Sequence, residues 1–269
     1  MEKGLILSVE QIYRYINSLK TVGGGYLTNI FNFEELKNSI KHKRISFEYE
    51  AEGYLNLLCE ESGFYRLYFF VAAGDRYHFE PIGKTVVCDV FIIQKNVLFE
   101  KIVNQLYSSA FVQHACIGKW VLNSFDRFPV SSMEGYTFGY EKTIEIMDKV
   151  ISIFDRYTDY LPDKKEYDLF FKDKKFINLY KTAGHKYIGS LIYTEKKRMA
   201  TLEFYFIVEE ERGQGLSRLL HEHLYQLVKK KEYKIVSYIH ENNLASIAVH
   251  QKYGYQKDQL ERYVFLNRG

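Results

Sequence analysis

Gly213 and Gly215, one residue apart, stand where an extended segment hands over to a helix, and that junction constrains the fold more than any other feature. Before them, Leu202-Glu203-Phe204-Tyr205-Phe206-Ile207-Val208 is rich in aromatic and branched residues and reads as a strand. After them, Leu216, Leu219, Leu220, Leu224, Leu227 and Val228 recur at helical spacing. A strand that turns through two glycines into a helix collects unpaired backbone N–H groups and the positive end of the helix dipole at one point. Such a point is a seat for a phosphate or pyrophosphate. The glycines admit close approach of the backbone, and Arg212 beside them adds a permanent charge.

Two phosphate loops are excluded by spacing. A Walker A loop requires a lysine that is absent, and the dinucleotide fingerprint requires a third glycine where Arg218 stands. A second block lies downstream, carrying Asn243, Ser246, His250, Lys252 and Gly254-Tyr255, and between the two blocks Tyr233–Ile239 reads as a short strand. Together Arg212-x-x-Gly215-x-Ser217 and the Asn243–Tyr255 block resemble the GNAT superfamily of acyl-CoA-dependent N-acetyltransferases. Ser217 and His250 depart from that pattern, which prefers Gly or Ala at the first position and most often Tyr at the second.

Length and composition bound the rest. The 269 residues are 46% hydrophobic and 17% aromatic, enough for one large core or two ordinary ones. No apolar run is as long as a membrane span, and Met1-Glu2-Lys3-Gly4 opens no signal segment, so a cytoplasmic protein without membrane association is expected. Cys59, Cys88 and Cys116 have no metal-ligand spacing and suit reduced thiols. Residues 1–140 hold 14 basic against 15 acidic side chains and residues 141–269 hold 23 against 19. This small excess argues against nucleic acid as a partner, and the Lys229-Lys230-Lys231 run reads as a solvated helix end.

The two halves share a layout. Ser8-Val9-Glu10-Gln11 is a capping box opening a helix, Asn32 can cap another at 33–41, and strands are expected at 45–50, 53–59, 64–72, 85–93 and 114–122 with a helix at 97–109. In the second half a helix at 141–157, a shorter one opened by Pro162-Asp163, and strands at 176–182, 187–193 and 199–208 precede the glycine loop. After Val71 the chain runs Ala72-Ala73-Gly74-Asp75, with no glycine pair and no arginine. The expectation is an α/β (α+β mixed-sheet) protein of two tandem GNAT-like domains. Residues 1–130 form a degenerate one, or another α/β domain, without a phosphate loop, and 131–269 the one that binds acyl-CoA, joined through Phe128-Pro129-Val130-Ser131-Ser132.

The resemblance implies direct attack of an amine, from a small molecule or a peptide, on the thioester of acetyl-CoA, with no metal. It implies that Arg212, Gly213, Gln214, Gly215, Leu216 and Ser217 hold the pyrophosphate, that the backbone of Ile207 and Val208 positions the thioester, and that Asn243 also serves the cofactor. The position of His250 implies the proton donor to the departing thiolate, with Tyr253 as the fallback. Glu203, at even spacing from Ile207 on the central strand, is the candidate base. Glu209, Glu210 and Glu211 read as a solvated run, and His221 and His223, two apart on a helix, are no metal pair. A CoA-binding sensor or interaction module without turnover is the alternative.

Overall fold

Local chemistry decides where the first helix begins. The Ser8 N–H donates to Gln11 Oε1 (3.1 Å) and the Gln11 N–H to Ser8 Oγ (3.3 Å). These reciprocal bonds satisfy two of the helix's orphan donors, and α1 runs Val9–Thr21. The computed structural model describes residues 2–5, 8–21, 26–28, 37, 40–41, 45–50, 53–61, 63–72, 79–80, 82–93, 95, 97–123, 134–154 and 164–269. Two units divide the chain: Met1–Ile117 with Gln259–Gly269, and Gly118–Asp258. The division thus falls inside a strand rather than in the Phe128–Ser132 stretch. That stretch, the helix expected after Asn32 (Lys37, Ile40 and Lys41 apart) and the Pro162-Asp163 helix start lie outside the described residues.

The first unit is built on β1 (Glu2–Leu5), β2 (Tyr26–Thr28), β3 (Ile45–Glu50), β4 (Tyr54–Glu61), β5 (Phe64–Ala72), β6 (Val86–Ile92), the helix α2 (Val97–Ser108) and the first half of β7 (Val112–Leu122). Gly63, at φ +79°, makes the tight turn between β4 and β5. β5 and β6 run parallel, and α2 covers them with Phe99, Ile102 and Leu106 against Phe69, Val90 and Phe265. Phe265 belongs to β13 (Gln256–Asn267), which pairs antiparallel with β6 over Glu261–Asn267. The sheet of the first unit therefore includes a strand that follows the whole second unit in sequence. Asp89 on β6 holds two guanidinium groups, Arg66 at 2.7 Å and Arg262 at 2.8 Å.

The second unit contains β8 (Tyr136–Gly139), α3 (Ile144–Phe154), a 3-10 turn at Lys164–Glu166, α4 (Tyr167–Phe170), β9 (Lys175–Lys181), β10 (Lys186–Lys196), β11 (Met199–Ile207), α5 (Ser217–Lys229), β12 (Lys234–His240) and α6 (Leu244–Lys252). Its strands are ordered β7-β12-β11-β10-β9-β8. Thr143 Oγ1 accepts the Ile146 N–H at 3.3 Å and sets the start of α3. One face of the sheet packs Ile177, Leu191 and Leu202 under Leu220 and Leu224 of α5. The opposite face packs Phe204 and Phe206 under Ile146 and Val150 of α3 and Phe171 after α4. The short β1, β2 and β8 went unread in the sequence because strands of three or four residues display too little alternation. Cys59, Cys88 and Cys116 are buried and in no disulfide, and burial pushes the Cys88 thiol up. Among the described residues no helix is long and apolar enough to cross a membrane.

Candidate active site

β11 is the strand that builds the site, and it does so by losing a neighbour. On one edge it pairs with β10 along its length, with a register shift between Ile192 and Tyr193 that leaves Glu203 as an extra residue. On the other edge it pairs in parallel with β12 only from Met199 to Leu202, against Lys234 to Ser237. β11 continues to Ile207 and β12 to His240, so the two strands part beyond Leu202. Backbone groups inside a sheet need partners, and a parted edge leaves a row of them for a ligand to complete. The bulge also resets the alternation. Leu202 faces the α5 side whereas Phe204 and Phe206 face α3 and α4. The even spacing that paired Glu203 with Ile207 does not survive it: Glu203 is exposed and accepts from Thr194 Oγ1 at 3.0 Å.

Past the strand end, Val208 turns into a 3-10 turn at Glu209–Glu211. The Val208 N–H donates to the Ile188 carbonyl (2.8 Å), and the Ile207 carbonyl accepts from Arg212 Nε (3.0 Å). These two groups, expected at the thioester, are therefore engaged within the fold. Gly213 has φ +79° and Gly215 φ +73°, and a Cβ at either would meet nothing within 4 Å. Glycine is required here by the left-handed backbone, not by crowding inside the protein. The first helical bonds run from the Arg218 N–H to the Gly215 carbonyl (3.0 Å) and from the Leu219 N–H to the Leu216 carbonyl (3.1 Å). The N–H groups of Gly213, Gln214, Gly215, Leu216 and Ser217 have no partner among the described residues, and no side chain caps α5. Five free donors at a positive helix end form an anion seat.

One acidic residue beside this loop is not solvated, contrary to expectation. Glu209 and Glu210 are exposed, but Glu211 is 4% exposed. Its carboxylate accepts from Lys181 (2.8 and 3.0 Å), Lys186 (2.7 Å) and Gln214 Nε2 (3.3 Å). The hydrogen bonds from Lys181 and then Lys186 pull its pKa to about 2. This anchor ties the loop to β9 and β10. Nothing in the Glu-Glu-Glu run distinguishes it, because the lysines that select it lie 25 and 30 residues away.

The Asn243 block forms α6 and its two ends. Asn243 caps the helix, its Oδ1 accepting from the Ser246 N–H at 3.1 Å. Gly254, at φ +84°, ends it and turns Tyr255 back toward the His250 carbonyl (3.0 Å). His250 is 1% exposed. Its Nδ1 lies 2.8 Å from the Ser246 carbonyl oxygen, which fixes the proton on Nδ1 and leaves Nε2 as an unprotonated, buried atom without a partner. Burial lowers its pKa to about 4. At neutral pH the ring therefore has no Nε2 proton to give. Tyr253, the fallback, is half-buried, and burial pushes its hydroxyl up to about 12 with Arg218 pulling the other way. His223 lies apart, stacked on Phe138 at 3.9 Å between ring centres.

His221, set aside in the sequence, is fully buried on α5. Its ring centre lies 4.5 Å from Tyr205, 5.1 Å from Tyr253 and 5.4 Å from His250. A helical count could have found it, since residue 221 lies on the stripe of residues 217, 224 and 228.

A strand that splits from its parallel neighbour, followed by a glycine turn into an uncapped helix, places unpaired backbone groups beside a positive helix end. Residues 146–255 match the acetyltransferase (GNAT) family and lie within the second unit. Solved structures extend the likeness to both halves. A GCN5-related N-acetyltransferase from Sphaerobacter thermophilus superposes with a TM-score of 0.63 at 9% identity, over 98% of this chain and 95% of that one. A Drosophila protein gives 0.60 at 14% identity, over 98% and 99%. A tandem GNAT protein from the clavulanic acid biosynthesis pathway gives 0.55 at 12% identity, over 83% and 81%. At such identities the likeness shows the fold: a mixed α/β tandem GNAT architecture, as the sequence suggested. No curated protein matches by sequence.

Proposed function

We propose that the C-terminal unit transfers an acyl group, acetyl in the simplest case, from acyl-CoA to a primary amine by direct attack. One observation carries this reading: an open strand edge and five unpaired N–H groups meet at one end of β11. The N–H groups from Gly213 to Ser217 take the pyrophosphate. The two amides of the pantetheine arm supply the partners that the edge between Glu203 and Ile207 lacks. An edge N–H in that stretch donates to the oxyanion formed when the amine attacks. Glu203, turned by the bulge onto Thr194 of β10, is not the base here, and the amine's proton passes to water. The departing thiolate, with a thiol pKa of about 8.5, takes a proton from Tyr253 rather than from His250, whose ring has none to offer on Nε2.

The buried, neutral state of His250 favours a second reading, a CoA-binding module without turnover, because the position most often held by a proton donor is here withdrawn into the core. Release of free CoA thiol from acetyl-CoA in the presence of a panel of amines separates the two. Amine-dependent thiol release supports transfer; tight acetyl-CoA binding with no release for any amine selects the module.

A further inference from the structure

Four buried polar atoms without a partner among the described residues lie in one part of the second unit, His221 Nδ1 and Nε2, His250 Nε2 and Tyr255 Oη, and beside them the buried Tyr205 Oη has only the Ser217 hydroxyl. They belong to one cluster of rings. His221 lies 4.5 Å from Tyr205, 5.4 Å from His250 and 6.2 Å from Tyr255, and His250 lies 4.6 Å from Tyr255. A single orphaned group is a tolerable loss; four in one cluster would cancel an amount comparable to a domain's whole folding stability. Something must satisfy them.

Their chemistry identifies it. With its proton fixed on Nδ1, His250 offers Nε2 only as an acceptor. His221 offers one donor and one acceptor, and each tyrosine hydroxyl offers both. An anion would select donors alone, and a metal cation would select acceptors with charge to match. Among the described residues no three of His, Cys, Asp and Glu gather for a metal. A mixed set of neutral donors and acceptors selects water, which needs two to four polar partners in such a place.

We propose that Tyr205, His221, His250 and Tyr255 enclose an internal water site, and that this water and the Ser217 hydroxyl return a proton to Tyr253 after it has protonated the CoA thiolate. The connection is local. Tyr205 sits on the parted stretch of β11, and the Ser217 hydroxyl at the start of α5 interacts with both Tyr205 and Tyr253. The proton count closes. The attacking ammonium loses two protons as the C–N bond forms, and sulfur gains one as the C–S bond breaks. Tyr253 gives that proton and is refilled through the water, so one proton is released overall. His221 is a positioning residue in this scheme: it holds the water and never touches the cofactor. The relay rests on the acyl-transfer reading; the water site does not.

The experiment is a high-resolution crystal structure of the full chain together with His221→Phe. In the wild type, ordered water is expected within hydrogen-bond distance of His250 Nε2 and His221. In His221→Phe, kcat is expected to fall about 10-fold, less than the roughly 10²-fold that loss of a direct proton donor brings. The Kd for acetyl-CoA should hold and the solvent isotope effect on kcat should rise. The thermal midpoint should also fall, because a dry cluster would instead gain from an apolar ring that removes two orphaned nitrogens. A dry cluster in the density, or a variant with raised midpoint and full kcat, overturns the proposal. A wild type that shows the water but transfers no acyl group overturns the transfer reading and the relay while leaving the water site standing.

Discussion

The two units each contain a parallel strand pair that parts, and they treat the gap in opposite ways. In the first unit β5 pairs with β6 only over Tyr65–Leu67 and Val86–Cys88, then runs on to Ala72. There the vacated edge is taken by β2, with Tyr26, Leu27 and Thr28 opposite Ala72, Val71 and Phe70. In the second unit β11 leaves β12 after Leu202, and among the described residues no strand fills the edge. The lesson is one of hydrogen-bond accounting. A fold that supplies its own strand has closed the gap, and a fold that leaves it open keeps backbone groups available for a ligand. The helix after each pair differs in the same sense. The face of α2 turned inward carries Phe99, Ile102 and Leu106, whereas α6 buries His250.

The largest expected effect concerns stoichiometry. Calorimetric titration should give one acetyl-CoA per chain, and Gly215→Val should reduce this to zero while circular dichroism stays native. A β-branched residue at φ +73° is strained by roughly 1–3 kcal/mol, and the N–H groups lose their convergence. A variant that retains one site per chain would place cofactor in the first unit and break the comparison.

The next effect is on rate. Tyr253→Phe should lower acyl transfer about 10²-fold with acetyl-CoA affinity unchanged, the signature of a group that acts in the transition state. His250→Asn, which keeps a polar side chain in the cluster, should cost much less. The reverse ranking would return the proton donor to His250 and remove the argument from its tautomer.

Acid should separate the units by a smaller amount. His250 has its pKa lowered from 6.5 to about 4 by burial, and burial lowers His221 well below its usual value, so the unfolded chain binds more protons than the folded one across this range. Stability from a neutral buried histidine is complete above pH 6.5 and is lost as pH falls toward 4, about 2 kcal/mol for His250 alone between pH 7 and pH 5. Glu211, lowered from 4.5 to about 2, loses its contribution only in the lower window between those values. In the first unit His114 is exposed. Hydrogen exchange corrected for intrinsic pH dependence should therefore show residues 118–258 opening first at pH 5; equal loss in both units would refute the assignment.

Much of this was legible in sequence because it is local. The glycine pair, the capping box at Ser8 and the helical stripe of α5 each act over a few residues, and each element formed within a few residues of its expected bounds. What was hidden depends on distant partners. The bulge that turns Glu203 away is set by β10, the burial of Glu211 by Lys181 and Lys186, and the closing of the first unit's gap by three residues of β2. The site of His250 was legible and its protonation was not, since the tautomer follows from the Ser246 carbonyl one helical turn away.

The smallest expected effect tests Asn243, which was expected at the cofactor and is found capping α6. Loss of an N-cap side chain costs about 1 kcal/mol, and α6 spans only nine residues, so Asn243→Ala should lower the thermal midpoint by a few degrees. Asn243→Ser restores a capping oxygen and should recover most of that loss. Affinity for acetyl-CoA distinguishes the two roles. A cap alone predicts that both variants bind as the wild type does, because the loop from Gly213 to Ser217 is untouched. A direct contact with the cofactor predicts that Ser rescues stability and leaves affinity reduced, since a hydroxyl cannot reach where the longer carboxamide did. Isothermal titration of the three proteins at one temperature below all their midpoints decides between them, and weakened binding in the serine variant would extend the cofactor site of the second unit from α5 onto α6.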